Sequence, residues 1–120
     1  MTAKQPQTST FRPGKVKVLD MEEQEKEVDG WLLGDTGLGY HLVHHDNPNV
    51  PDGFFPTHLN SGCMLGGFML GLPVRKCRAF LLEIKDMAPW SEVTTREEIN
   101  ARLVQPGILK EVNRIARKYE

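Results

Sequence analysis

The spacing of hydrophobic residues changes once along the chain. From residue 15 to residue 71, apolar positions alternate with polar ones or form short runs, whereas from residue 73 onwards they recur every three or four residues. Alternation is typical of strands and the longer period is typical of helices. The order of the two patterns predicts an α+β fold, in which an N-terminal antiparallel sheet of about four strands is packed on one face by two or three C-terminal α-helices.

The first predicted strand leads into an acidic run. Residues 15–21 alternate and therefore predict a strand. Residues 20–30 hold six acids against one lysine. Such a run fits a solvated hairpin connection, an exposed helical turn or an extension of a strand, and all three interpretations stay open.

A hairpin is predicted after the acidic run. Apolar residues 31–33 and alternating residues 40–45 flank the triplet Asp35, Thr36, Gly37, which predicts two antiparallel strands joined by a glycine-containing turn. The triplet also resembles the catalytic signature of the retropepsin-type aspartic proteases, which would imply one carboxylate from each chain of a homodimer. Helices in the C-terminal third are foreign to that mainly β family, so we interpret the triplet as a turn.

The middle of the chain predicts a loop and a last strand. Residues 46–62 contain three prolines, three asparagines and two glycines, a composition that disfavours a continuous strand or helix. Residues 62–71 are apolar and interrupted by glycine, which predicts a strand that is buried on both faces or bulged at Gly66 and Gly67. This stretch is far shorter than the ~20 residues of a membrane-spanning helix, so we expect no membrane partner.

The helical pattern gives three segments. A helix over residues 73–88 is predicted between Pro73, which suits a first turn, and Pro89, which stops the run. A capping box for a second helix is offered by Thr94, Thr95, Glu97 and Glu98. Ile99 and Leu103 would then point inward. After Pro106 and Gly107, a third amphipathic helix is predicted from Ile108 to Tyr119.

Composition limits the class of protein. The 120 residues are enough for one domain with a single core, which we assign to residues 15–120, and we interpret polar residues 1–14 as a flexible N-terminal arm. A net charge of -1 argues against nucleic acid as the partner, because phosphate contacts need clustered lysine and arginine. Two cysteines without a disulfide-scaffold pattern and a polar start of the chain predict a reducing, cytoplasmic location.

All four histidines fall between residues 41 and 58. On a strand, His41 and His45 would share one face and His44 the other. A zinc site needs three or four converging ligands, and His41, His45 and His58 could converge only if the loop folds back over the strand, with Asp46 or Cys63 completing the set. We therefore expect no cofactor and keep a divalent metal as an alternative. A second alternative is an acid-base pair of His45 or His58 with Asp46.

Cations gather at the start of the first helix. Positive side chains at a helix N-terminus oppose the helix dipole, and this applies to Arg75, Lys76 and Arg78. The three residues also follow a glycine-rich stretch. Cations beside free backbone N–H groups are typical of an anion site. The acidic residues 20–29 could instead neutralise this cluster as ordinary surface ion pairs.

Phe54 and Phe55 are adjacent aromatic residues in the predicted loop. Two neighbours in an extended segment point in different directions, so one ring needs a destination other than the nearby core. An interface between copies of this chain provides one, and we predict a homo-oligomer.

Together these patterns give a leading hypothesis with two alternatives. The chain is expected to bind a small anionic ligand or a protein partner in a pocket between the sheet, the 46–62 loop and the 73–88 helix. The ligand-binding candidates are His41, His45, His58, Arg75 and Arg78. The alternatives are a histidine-based enzyme, with or without a metal, and a pure interaction module that uses Phe54 and Phe55.

Overall fold

The computed structural model describes residues 11–19, 24–44 and 48–120. Five strands form one antiparallel sheet in the order β1-β2-β3-β4-β5, so that each strand pairs with its neighbours in sequence. The strands are β1 (Phe11–Leu19), β2 (Glu25–Leu33), β3 (Leu38–Val43), β4 (Gly53–His58) and β5 (Cys63–Met64).

Three helices follow the sheet and confirm the predicted α+β arrangement. They are α1 (Val74–Ile84), α2 (Arg96–Ile99), which continues as a π-helical turn (Asn100–Val104), and α3 (Ile108–Ala116). Short 3₁₀ segments lie at Trp90–Glu92 and Arg117–Tyr119. Among the described residues, no helix combines the length and the apolar composition needed to cross a bilayer.

The helices pack on one face of the sheet, called here the helix-covered face. Its described residues include Phe11, Trp31, Leu33, Leu38, Tyr40, Phe54 and His58. Leu33, Leu38 and Tyr40 are fully buried in one cluster with residues from α1 and α3. The helical members of that cluster include Cys77, Phe80, Leu81, Ile84 and Val112. The large side chains of this face thus form the main core.

The opposite face, called here the glycine face, carries Gly14, Val16, Gly30, Gly39, His41, Phe55 and Thr57. A methyl group at Gly30 would lie 2.5 Å from the Tyr40 carbonyl oxygen and 2.5 Å from Val16 Cγ2. Only glycine fits such a close approach. Strand β1 contacts β3 as well as its neighbour β2, and β1 also approaches β5. The sheet is therefore strongly curled, and Val16 is completely buried.

Several local predictions are confirmed. Residues 34–37 form the turn between β2 and β3, and Thr36 Oγ1 donates a hydrogen bond to the Leu33 carbonyl at 2.7 Å. Asp35 is exposed and lies 3.7 Å from Arg12, which fits a turn. The capping box forms between Thr95 and Glu98 at the start of α2.

The first strand is longer than predicted at its N-terminal end. Residues 11–14, which we assigned to the arm, pair with β2 from Phe11 opposite Leu33 to Gly14 opposite Gly30. Residues 1–10 of the predicted arm lie outside the described residues. Part of the acidic run, from Glu25 onwards, belongs to β2, so the strand extension is the correct interpretation for that part.

The prediction of an uninterrupted loop over residues 46–62 is wrong, because Gly53–His58 forms β4. Pro56 lies in the middle of this strand. The carbonyls of Phe54 and Pro56 both accept bonds from the outer side, from Leu72 and Leu65 at 2.9 Å. The missing N–H of Pro56 would point to that outer side, away from β3, so the proline removes no bond to β3.

The strand predicted over residues 62–71 is also wrong beyond Met64. Gly66, Gly67 and Gly71 have φ values of 84°, 67° and 79°. This left-handed backbone turns the chain and cannot continue a strand. The chain returns to the sheet only at Leu72, which forms an isolated bridge with Phe54.

Candidate functional site

Two of the described histidines, His41 and His58, are buried, and they lie on opposite faces of the sheet. His41 belongs to the glycine face, where its ring lies 6.1 Å from that of Phe55 and its Nδ1 is 3.4 Å from Thr57 Oγ1. Burial lowers the pKa of His41, and the nearby Lys26 lowers it further. His41 is therefore neutral near pH 7. Because it lies on the other face of the sheet, it has no contact with His58 and does not share a site with it.

His58 lies on the helix-covered face, where it joins β4 to the segment after α1. Its Nε2 is 2.8 Å from the Trp90 carbonyl oxygen, and its Nδ1 is 2.8 Å from Ser61 Oγ. A carbonyl only accepts, so Nε2 carries the hydrogen. Burial lowers the pKa of His58, although the bond to Trp90 opposes part of this shift. In the neutral ring, Nδ1 is then an acceptor, and the Ser61 hydroxyl donates to it.

The Ser61 hydroxyl is the centre of a small polar network. While it donates to His58, its oxygen accepts the backbone N–H of Cys63 at 3.1 Å. Cys63 carries a free, exposed thiol. A serine, a neutral histidine and a thiol therefore stand together at the end of β4 and the start of β5.

The predicted cationic group does not converge with His58. Arg78 Nε donates to the Tyr40 hydroxyl at 2.7 Å, and its guanidinium lies 5.2 Å from the centre of the Phe11 ring. Arg75 is exposed on α1. The cavity that His58 lines has neither arginine in its wall. The two arginines and His58 thus belong to separate parts of the helix-covered side.

Both aromatic residues of the predicted interface have partners within the chain. Phe54 is half-buried on the helix-covered face, with its ring 5.6 Å from that of Tyr40 and 6.0 Å from that of Trp31. Phe55 is buried on the glycine face beside His41. Because neighbouring residues of a strand face opposite sides of the sheet, both phenylalanine rings pack within the chain, including the ring that we had placed in an interface. The oligomeric state stays a prediction.

His45 and Asp46, the remaining predicted site residues, lie outside the described residues. Nearby, His44 Nδ1 is 2.7 Å from Asp52 Oδ2 in an exposed pair. In the described ranges, no three His, Cys, Asp or Glu side chains come close enough to hold a metal ion.

One cavity lies between the end of the sheet and the last two helices. We call it the apolar cleft; it has a volume of about 330 Å³. Its apolar wall is formed by Leu65, Ile99, Leu103 and Leu109. Its polar residues are His58, Ser61, Cys63 and Asn113. The histidine was predicted as a site residue, but its pocket is walled by α2, the π-helical turn and α3, not by α1.

A second cavity adjoins the first. This polar cleft also measures about 330 Å³, and it shares Ser61, Cys63 and Ile99 with the apolar cleft. Its other lining residues are Lys17, Glu25, Asn60, Thr94 and Arg96. The Ser61 network therefore lies between the apolar cleft and the polar cleft, which is lined by charged side chains.

The site residues missed by sequence reasoning come from distant parts of the chain. Ile99 and Leu103 were predicted to point inward, which was the available signal, but nothing in their spacing connects them to His58. Lys17 and Arg96 belong to a strand and a helix that are far apart in sequence. Their meeting depends on how the helices dock, which a single sequence does not reveal.

Comparison with protein-family models, with curated proteins and with solved structures finds no match to this chain.

Proposed function

We propose that the protein binds a small, largely apolar molecule in the apolar cleft. One observation carries this proposal. The cleft is a cavity of about 330 Å³ with an apolar wall, and a few polar side chains, those of His58, Ser61 and Cys63, are grouped at one end. Small-molecule sites have this composition, with apolar walls for affinity and a few polar groups that orient the ligand.

The polar end supports the proposal because its groups are fixed before a ligand arrives. His58 is held by Trp90, and Ser61 is held by His58 and by the N–H of Cys63. A ligand would find one free lone pair on Ser61 Oγ and the thiol of Cys63. Groups that are already oriented lose little conformational entropy on binding.

An NMR fragment screen on the whole chain tests the proposal. Bound apolar fragments should shift the amide signals of residues 58–67 and 99–113. Leu109→Trp fills the cleft from α3 and should abolish these shifts. Leu82→Trp adds the same volume on α1, where the side chain is 39% exposed, and should leave the shifts unchanged. Shifts that survive in Leu109→Trp, or that gather elsewhere on the chain, would contradict the proposal.

A second candidate function is acyl transfer by Ser61, and one specific observation favours it. The Ser61 hydroxyl points to the acceptor nitrogen of His58, whose other nitrogen is held by the Trp90 carbonyl. A nucleophile, a base and a group that orients the base form the arrangement used in covalent catalysis. Ser61 Oγ would bond to an ester carbonyl carbon as its proton moves to His58 Nδ1. The departing alcohol would take that proton, and water would then release the acid.

Labelling with a fluorophosphonate tests this second function. Reaction would bond Ser61 Oγ to phosphorus and expel fluoride, so mass spectrometry should find the adduct on Ser61. Ser61→Ala should not be labelled, whereas Ser91→Ala, which changes an exposed serine outside the cleft, should be labelled like the natural chain. An unlabelled natural chain would remove acyl transfer and leave the binding proposal intact.

A further inference from the structure

The apolar and polar clefts lie side by side and differ in character. Ser61, Cys63 and Ile99 line both of them. On one side of these residues the wall is built from leucine side chains, and on the other side it includes Lys17 and Arg96. A molecule that crosses Ser61 and Cys63 would therefore pass from an apolar to a cationic environment.

The cations of the polar cleft are not equally engaged. Lys17 Nζ lies 3.5 Å from Glu25 Oε1, which partly neutralises it. Arg96 makes no ion pair with any residue that the structure describes. Among the described residues that line this cleft, two cations, Lys17 and Arg96, stand against one acid, Glu25.

The neutral side chains around Arg96 are already committed. The Asn60 amide nitrogen donates to the carbonyls of Ser91 and Val93, at 2.9 and 3.3 Å. The Thr94 hydroxyl donates to Glu98 at 2.7 Å. The guanidinium of Arg96 therefore has spare donor capacity for an incoming acceptor, and guanidinium forks match carboxylate and phosphate oxygens.

We propose that the ligand is an anionic amphiphile, whose hydrocarbon part fills the apolar cleft and whose carboxylate or phosphate head lies at Arg96 and Lys17. This inference rests on the proposed binding function and names its ligand class. Burial of the hydrocarbon part supplies most of the affinity. The head group sets the orientation through charge-assisted hydrogen bonds.

Titration calorimetry with ten-carbon probes tests the inference, with each probe kept below its micelle concentration. Decanoate and decyl phosphate should bind roughly tenfold more tightly than decanol, since one charge-assisted hydrogen bond is worth about that factor. Decylammonium should bind more weakly than decanol. The tighter of the two anions identifies the head group as a carboxylate or a phosphate.

Two charge variants locate the head group. Arg96→Gln should reduce decanoate affinity to that of decanol without changing decanol binding. Arg102→Gln removes an exposed cation from the π-helical turn, outside the lining of both clefts, and should leave the preference for decanoate intact. Glu25→Gln frees Lys17 and should strengthen decanoate binding several-fold.

The outcomes separate this inference from the function on which it rests. Equal binding of decanol and decanoate, or a preference that survives Arg96→Gln, overturns the anionic amphiphile but leaves the apolar cleft as a binding site. If neither decanol nor decanoate binds and fragments also leave residues 58–67 and 99–113 unshifted, both proposals are overturned.

Discussion

The helix-covered face of the sheet carries large side chains that meet α1 and α3, whereas the glycine face carries several glycines that let neighbouring strands approach each other. Phe80 of α1 is completely buried against the first face, with its ring 5.3 Å from Phe68 and 5.8 Å from Tyr119. On the second face, Gly39 leaves so little space that a methyl group would lie 2.6 Å from the Trp31 carbonyl oxygen. One face is therefore sensitive to lost volume and the other to added volume.

The largest expected effect is on the helix-covered face. Phe80→Ala removes a ring from the centre of the main core and leaves a cavity, so the free energy of unfolding should fall by about 3 to 5 kcal/mol. Urea denaturation followed by circular dichroism measures the change. A loss below about 1 kcal/mol would mean that the helices can collapse onto the sheet, and that this face is not as closely packed as we describe.

The second-largest loss of stability is expected on the glycine face, where the cause is added volume and not lost volume. Gly30→Ala adds one methyl group against the Tyr40 carbonyl and Val16, and it should destabilise the fold by about 1 to 3 kcal/mol. The upper part of this range is expected because a backbone oxygen cannot move aside.

Gly14→Ala is the matched control for Gly30→Ala. Its methyl group would lie 2.7 Å from Leu32 Cδ1 and 2.9 Å from Leu32 Cγ, and this half-buried side chain can rotate away, unlike a backbone oxygen. Stability should therefore stay within about 0.5 kcal/mol, as for an ordinary surface substitution. Equal losses in the two variants would show that glycine is needed for backbone freedom along these strands and not for close approach at Gly30.

The smallest effect is a pH dependence to which both faces contribute. The pKa values of His41 and His58 are lowered from 6.5, mainly by burial. Below pH 6.5 the unfolded chain takes up protons that the folded chain does not. The contribution of these residues to stability is thus complete above pH 6.5, is lost as the pH falls through the folded pKa values, and then levels off.

Denaturation at about pH 7.5 and about pH 5.5 measures this dependence and assigns it to a face. His58→Gln keeps a nitrogen that can donate to the Trp90 carbonyl but cannot titrate, so it should reduce the loss of stability at the lower pH. His41→Gln should remove the contribution of the glycine face in the same way. A double variant that loses as much stability as the natural chain would exclude both histidines as the cause.

The elements that were predicted correctly depend on short-range chemistry. In α1, Cys77, Phe80, Leu81 and Ile84 face the core because their spacing of three and four residues puts them on one side of a helix. Thr95 and Glu98 cap α2 because their side chains reach the first free N–H groups of the same turn. Such patterns involve residues that are close together in the sequence, so a short stretch of sequence is enough to predict them.

The elements that were missed depend on the side to which a residue points. Pro56 seemed to exclude a strand, yet its missing N–H faces away from β3. The glycines at 66, 67 and 71 seemed compatible with a bulged strand, yet their positive φ values turn the chain. The candidate site was missed for a related reason, because the apolar cleft joins His58 to Leu109 through the docking of helices and not through a local pattern.

The bond between His58 and the Trp90 carbonyl also bears on the order of folding. The sheet is a meander whose strands pair with their neighbours in sequence, so its contacts close short loops and can form early. The histidine bond spans 32 residues and closes a longer loop, at a greater cost in chain entropy. We expect the sheet to form in the transition state of folding and the Trp90 segment to dock afterwards. Substitutions at His58 should then accelerate unfolding and leave the rate of folding nearly unchanged.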